Sequence, residues 1–121
     1  IASYRNVALE SSDQRQLVVL CFETLVRRQV QARSNIEDGK LIAANEDLRV
    51  CREIFCELLL ALDEEASPEL SGNLSQLYDF CIRELVAAGA ERSLARIDGS
   101  LEVTRLLHRG FSAAFEGEPD Q

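Results

Sequence analysis

An all-α fold, an antiparallel up-down-up-down four-helix bundle with a short N-terminal arm, is what the sequence predicts. Two observations carry the expectation. Apolar residues recur at three- and four-residue steps in four long segments, the period of a helix surface rather than of a strand. Between those segments stand short connections that hold the turn-formers Asp38-Gly39, Ser67-Pro68 and Ser93. With only two prolines and six glycines in 121 residues, and long runs rich in Leu, Ala, Glu and Arg, composition also favours helix. The length fits a single domain over residues 1–116, of which 1–12 form the arm, and GEPDQ at 117–121 reads as a disordered acidic tail. Neither internal repeats nor an alternating strand pattern is present.

The arm comes first. Ile1, Tyr4 and Val7 fall three apart, which predicts a short segment docked on the body. Asp13 then offers an N-cap with Gln16 three residues on, a capping box that opens a helix running to about Ile36. The first half of that helix is apolar on nearly every side. One seam is Val18, Phe22, Leu25, Ala32 and Ile36; another is Leu17, Leu20 and Cys21. A helix greasy all round has to be covered all round, by its own domain or by a partner.

The second helix is expected from Lys40 to about Asp63, on the stripe Leu41, Ala44, Leu48, Cys51, Phe55, Leu58 and Leu62, widened by Ile42, Ile54 and Leu59. The third, Glu69 to Gly89, repeats Leu70, Leu74, Leu77 and Cys81 beside Tyr78, Ile82 and Leu85. Ser67 is its N-cap, Pro68 sits at the first turn where a missing N–H costs nothing, and Gly89 closes it. Ser93 caps a last helix whose stripe is Leu94, Ile97, Leu101, Thr104, His108, Phe111 and Phe115. Gly99 and Gly110 interrupt it, each costing about 1 kcal/mol against alanine.

Several functions are disfavoured. A net charge of −8 argues against nucleic acid as the main partner. No apolar run approaches the roughly 20 residues that span a bilayer, so stable membrane insertion is not expected. No cleavable signal peptide is visible, and a cytoplasmic location is expected. Cys21, Cys51, Cys56 and Cys81 lie among apolar neighbours without a C-x-x-C pair, which predicts reduced, buried thiols. His108 is the only histidine, so no metal site and no cofactor are expected. A Glu-x-x-His di-iron motif fails because Arg105 stands three residues before it. No catalytic constellation can be assembled, and the chain is not expected to be an enzyme. The enzyme-like alternative is a histidine phosphotransfer bundle built on His108-Arg109-Gly110, which lacks the spacing expected around such a histidine. Binding is what remains. The surplus apolar surface of the first long helix suits helix-in-groove recognition, in which each leucine-sized anchor contributes about 1.5–3 kcal/mol. The plain alternative is that all of it is ordinary bundle core.

Asn73-Leu-Ser-Gln-Leu-Tyr-Asp-Phe80, continuing to Leu85 and to Ala87-Ala-Gly89, resembles the N-L-x-x-L-Y-D-Y…L…A-N segment of the flagellin export chaperone family. Leu17-Val-Val-Leu-Cys-Phe-Glu23 is similar to that family's L-I-x-x-L-Y/F-D-G, and Ile1-Ala-Ser-Tyr4 looks like its N-terminal apolar/tyrosine pair. The similarity covers about residues 1–115. Thr24 replaces a glycine, Gly89 an asparagine, and Phe111 or Phe115 stands in for a tryptophan, as in a divergent member.

The resemblance implies a cytosolic chaperone that binds the disordered C-terminal segment of flagellin in a hydrophobic groove. The client is thereby kept from polymerising early and is delivered to the flagellar type III export apparatus. Groove candidates are Leu17, Leu20 and Cys21 on the first long helix, Ile54 and Leu58 on the second, and Leu74, Leu77, Tyr78 and Leu85 on the third. The N-terminal pair implies a role for Ile1 and Tyr4, covering the groove or meeting a flagellar export gate component. A monomer or weak homodimer is expected. A structural adaptor or co-chaperone for another secretion factor is the further alternative.

Overall fold

A computed structural model describes residues 12–116 as four helices: α1 (Ser12–Glu37), α2 (Leu41–Leu60), α3 (Pro68–Glu91) and α4 (Leu94–Glu116). Each helix packs on the next in sequence, and α4 returns to α1, closing a ring of four. Cross-helix contacts fix the direction. Early α1 meets late α4 through Phe22 and Phe111, and late α1 meets early α4 through Arg33 and Asp98. In the same way Phe55 meets Tyr78 between α2 and α3, while Leu48 lies 3.5 Å from the Cβ position of Gly89. The architecture is the predicted four-helix bundle. The arm and the acidic tail lie outside the described residues, apart from Ser12, which begins α1.

The helix ends follow from local chemistry. Gly39 takes φ +73°, and Lys40 N donates to Asn35 O at 2.8 Å, satisfying a terminal carbonyl of α1. Asp13 is not the N-cap: the helix already includes Ser12, and Asp13 sits in the first turn, where a carboxylate favours the positive end of the dipole. Ser67 is the N-cap of α3 with Pro68 at its first turn, although no side-chain capping bond forms. The connection before it is ordered by Asp63 instead. The Asp63 carboxylate accepts from the backbone N–H groups of Glu65 and Ala66, and the Ser71 hydroxyl donates to Asp63 O at 2.9 Å. Gly89 does not close α3. The helix runs two residues further, and Arg92 takes the left-handed cap at φ 53° and ψ 43°. The N–H groups of Arg92 and Ser93 both bond Ala88 O, which closes the last turn. Ser93 does cap α4, its hydroxyl accepting from Arg96 N. Gly99 and Gly110 leave α4 unbroken.

The interior is built from the expected stripes. Val18, Phe22, Leu25 and Ala32 of α1 meet Leu48, Cys51, Phe55 and Leu58 of α2, and beyond them Tyr78, Cys81 and Leu85 of α3. At one end Phe22, Phe111 and Phe115 form a ring cluster with centroids 5.2 and 5.8 Å apart. Midway the core turns polar. Gln29 Nε2 donates to Leu25 O and, at 2.9 Å, to Thr104 Oγ1, while the Thr104 hydroxyl donates to Ser100 O. Cys51 and Cys81 join the same layer through weak bonds to Leu25 O and Ser100 O. Towards the other end the buried Asp47 carboxylate accepts from Arg28 at 2.8 Å and from Asn35 at 2.9 Å, tying α2 to α1.

Candidate functional site

Two apolar residues expected to widen a stripe or to be buried lie elsewhere. Ile42 is 90% exposed: two residues before the buried Ala44, it is turned by about 200° round α2, away from the core. Cys56 is exposed rather than buried, while Cys51 and Cys81 are in the core. All four cysteines are free, and those buried are poor nucleophiles: burial pushes the Cys51 thiol up to about 12 and that of Cys81 to about 11. Burial likewise raises Cys21, with the Glu57 carboxylate as a smaller cause.

The candidate binding residues divide into two sets. Leu58, Leu74, Tyr78 and Leu85 are buried inside the bundle, where they contact the core cluster. Leu17, Leu20, Cys21, Ile54 and Leu77 are wholly or partly open to solvent. Ile1 and Tyr4 lie outside the described residues.

The open set falls on two edges. Arg28 and Asn35 reach Asp47, so their side of α1 faces α2. Cys21 is seven residues before Arg28 and Leu17 four before Cys21, which places both on that side. Ile54, seven residues after Asp47, faces back across the same joint, and the influence of Glu57 on Cys21 sets the two helices side by side there. Leu20, 54% exposed, lies outward of this pair.

The second edge runs between α3 and α4. The Cβ position of Gly99 lies 3.8 Å from the Phe80 ring and 3.6 Å from the Glu84 carboxylate, so a small residue on α4 admits an aromatic from α3. Leu77 and Leu70 share that side of α3, while Val103, Leu106 and Gly110 continue the line from Gly99 along α4. Leu77 is 37% and Leu106 56% exposed, and Val103 packs against the core from its rim. Arg96 closes one end, paired with Glu84 at 3.0 Å. Sequence reading missed Phe80, Val103 and Leu106. The available signal was Gly99-x3-Val103-x2-Leu106-x3-Gly110, a second stripe beside the core stripe of the last helix.

Among the described residues no group of His, Cys, Asp and Glu is arranged to hold a metal ion. His108 is half-buried on α4 beside the core stripe, not presented on an open face. Two concave regions, at Asp98, Glu102, Arg105 and Arg109 on α4 and at Arg49, Arg52, Glu53 and Glu57 on α2, are lined mainly by charge. No described helix is long and apolar enough to cross a membrane.

Comparison with known proteins agrees. Residues 1–118 match the family described as Flagellar protein FliS. The flagellar secretion chaperone FliS of Salmonella typhimurium is 34% identical over 112 residues, 88% of this chain and 81% of the relative. That of Escherichia coli is 28% identical over 95 residues, 75% and 68% of the two chains. Flagellar secretion chaperone FliSB of Pseudomonas aeruginosa is 30% identical over 108 residues, 86% and 83%. The match over nearly its whole length, with relatives at 30% identity and above, places this chain in the FliS family of flagellar proteins.

Proposed function

We propose that the chain is a non-enzymatic flagellar secretion chaperone of the cytoplasm. It holds the disordered C-terminal segment of flagellin, prevents premature polymerisation and delivers the client to the export apparatus. Family membership supports the chaperone role. The single observation that supports the mode of binding is the pair of apolar edges, with Leu17, Leu20, Cys21 and Ile54 on one and Leu77, Phe80 and Leu106 on the other. A client segment that becomes helical can lay its apolar face along such an edge. Each leucine-sized anchor contributes about 1.5–3 kcal/mol, and the ordering of the client subtracts about 2–5 kcal/mol or more. The complex is therefore tight enough to hold and weak enough to release. Ile1 and Tyr4 are assigned to contact with the export gate or to covering the client site.

Leu58, Leu74, Tyr78 and Leu85 support the client site from beneath, by holding the helices that carry the edges. The test is co-purification with the last ~50 residues of a flagellin, a length suited to folding on binding. Retention by the intact chain, and its loss in Leu77→Asp with an unchanged circular dichroism spectrum, is the expected result. A chain that retains no such segment at micromolar concentration overturns the reading. The phosphotransfer alternative is not favoured by the half-buried His108 or by the family.

A further inference from the structure

The four joints of the bundle are not alike. Between α2 and α3 the contact is made by Phe55, Tyr78, Leu48 and Leu85, all without exposure, with no polar side chain fully buried among them besides the tyrosine hydroxyl. Between α1 and α4 the centre of the contact is polar: Gln29 and Thr104, also without exposure, meet through one hydrogen bond. The other polar atom of that amide, Gln29 Oε1, has no hydrogen-bond partner among the described residues. A buried carboxamide oxygen of this kind has no protein bond to replace the hydration it had in the unfolded chain.

We infer that the α1–α4 joint is the yielding seam of the bundle, which opens at the Gln29 layer while α2 and α3 stay together. The reason lies in what each joint gains by opening. Parting α2 from α3 exposes aromatic and leucine surface to water with no compensation. Parting α1 from α4 lets water reach the orphaned Gln29 oxygen, and costs the bond from Gln29 to Thr104 together with the half-exposed Arg33–Asp98 pair. The Thr104 bond to Ser100 O stays within α4 and survives. Covalent closure differs as well. Chain connections of a few residues hold α1 to α2, α2 to α3 and α3 to α4, but none joins α4 to α1.

Two contacts oppose opening. Arg33 with Asp98, at 2.8 Å, is half-exposed and therefore a weak clamp. The ring cluster of Phe22, Phe111 and Phe115 is the strong one, and it pins the far end of α4. Opening thus begins in the first half of α4, where Gly99 also lowers helix propensity. It uncovers Leu25 and Ala32 on α1 and Ile97 and Leu101 on α4. This inference concerns the bundle alone and goes beyond the chaperone reading, since it is tested without a client.

Native-state hydrogen exchange on the full chain, in low concentrations of urea, is the experiment. Amides of α4 from Ile97 to Leu107 are expected to exchange through a partial opening, at least about tenfold faster than those of α2 from Leu48 to Leu58 and of α3 from Tyr78 to Ala88. Gln29→Leu replaces the half-satisfied amide with an apolar side chain of similar size and is expected to narrow that gap to about threefold or less. Equal protection of all four helices in the parent chain overturns the inference, and this measurement stands even where the variant does not fold. So does a Gln29→Leu chain in which every helix is slowed alike.

Discussion

Compare the two faces of α3. Its inner face presents Leu74, Tyr78, Cys81, Leu85 and Ala88 to the core, and its edge towards α4 presents Leu70, Leu77 and Phe80 to solvent. Both sets are apolar, both keep helical spacing, and Leu74 and Leu77 are the same residue three positions apart. Their roles differ because rotation along a helix carries Leu77 away from the α2–α4 cleft and on to the rim. The difference teaches that residue type fixes which helix side avoids water, while neighbouring helices decide which part of that side is left for a partner.

Substitutions on the two faces should therefore separate stability from binding. Leu85→Ala, on the inner face, is expected to cost about 2–5 kcal/mol in urea unfolding, with client binding lost only as the fold is lost. Leu77→Asp, on the edge, should change stability by less than about 1 kcal/mol yet weaken capture of a flagellin C-terminal segment at least about tenfold. Should Leu77→Asp lower the urea midpoint as much as Leu85→Ala does, the edge belongs to the core and the comparison collapses.

The buried thiols sharpen it through pH. The folded chain holds the protons of Cys51 and Cys81 to about 12 and about 11, whereas an unfolded thiol releases its proton from the ordinary value of 9.0. Their contribution to stability is complete below about pH 9 and is lost as pH rises towards those folded values. Urea midpoints at about pH 8 and pH 10.5 should differ, and the difference should shrink in Cys51→Ala. The exposed Cys56 should react with a thiol reagent in the folded state, ahead of both. A smaller effect is expected at the end of α3. Arg92→Gly should add about 0.5 kcal/mol in the same unfolding assay, the left-handed strain relieved less the extra freedom of an unfolded glycine.

Much of the fold was legible in the sequence. The seam from Val18 to Ala32 and the stripe from Ala44 to Leu58 face the core as their spacing requires. Short connections with Gly39 and Pro68 forced neighbouring helices to run antiparallel. What escaped was whatever depends on a partner helix. Periodicity alone could not separate Leu74 from Leu77, since both fall within a stripe wider than one contact. Gly89 looked like a helix stop, but the left-handed turn falls at Arg92, where the N–H groups of Arg92 and Ser93 both bond Ala88 O. The edge at Phe80 and Leu106 was hidden for a related reason: it is made by residues of two helices, each unremarkable in its own segment. Family resemblance supplied the role that spacing could not.

One polar contact outside the core has a consequence for all of this. Ser71, buried at the start of α3, donates its hydroxyl to the carbonyl of Asp63, the residue whose carboxylate also gathers the connection before it. That bond acts as a key for the rotational phase of α3. One residue inserted between Ala66 and Pro68 would leave the key unmatched, and a helix turned by about 100° would swap its hidden leucines for its open ones. The length of a seven-residue link, rather than any leucine, then decides which side of this helix another protein can touch.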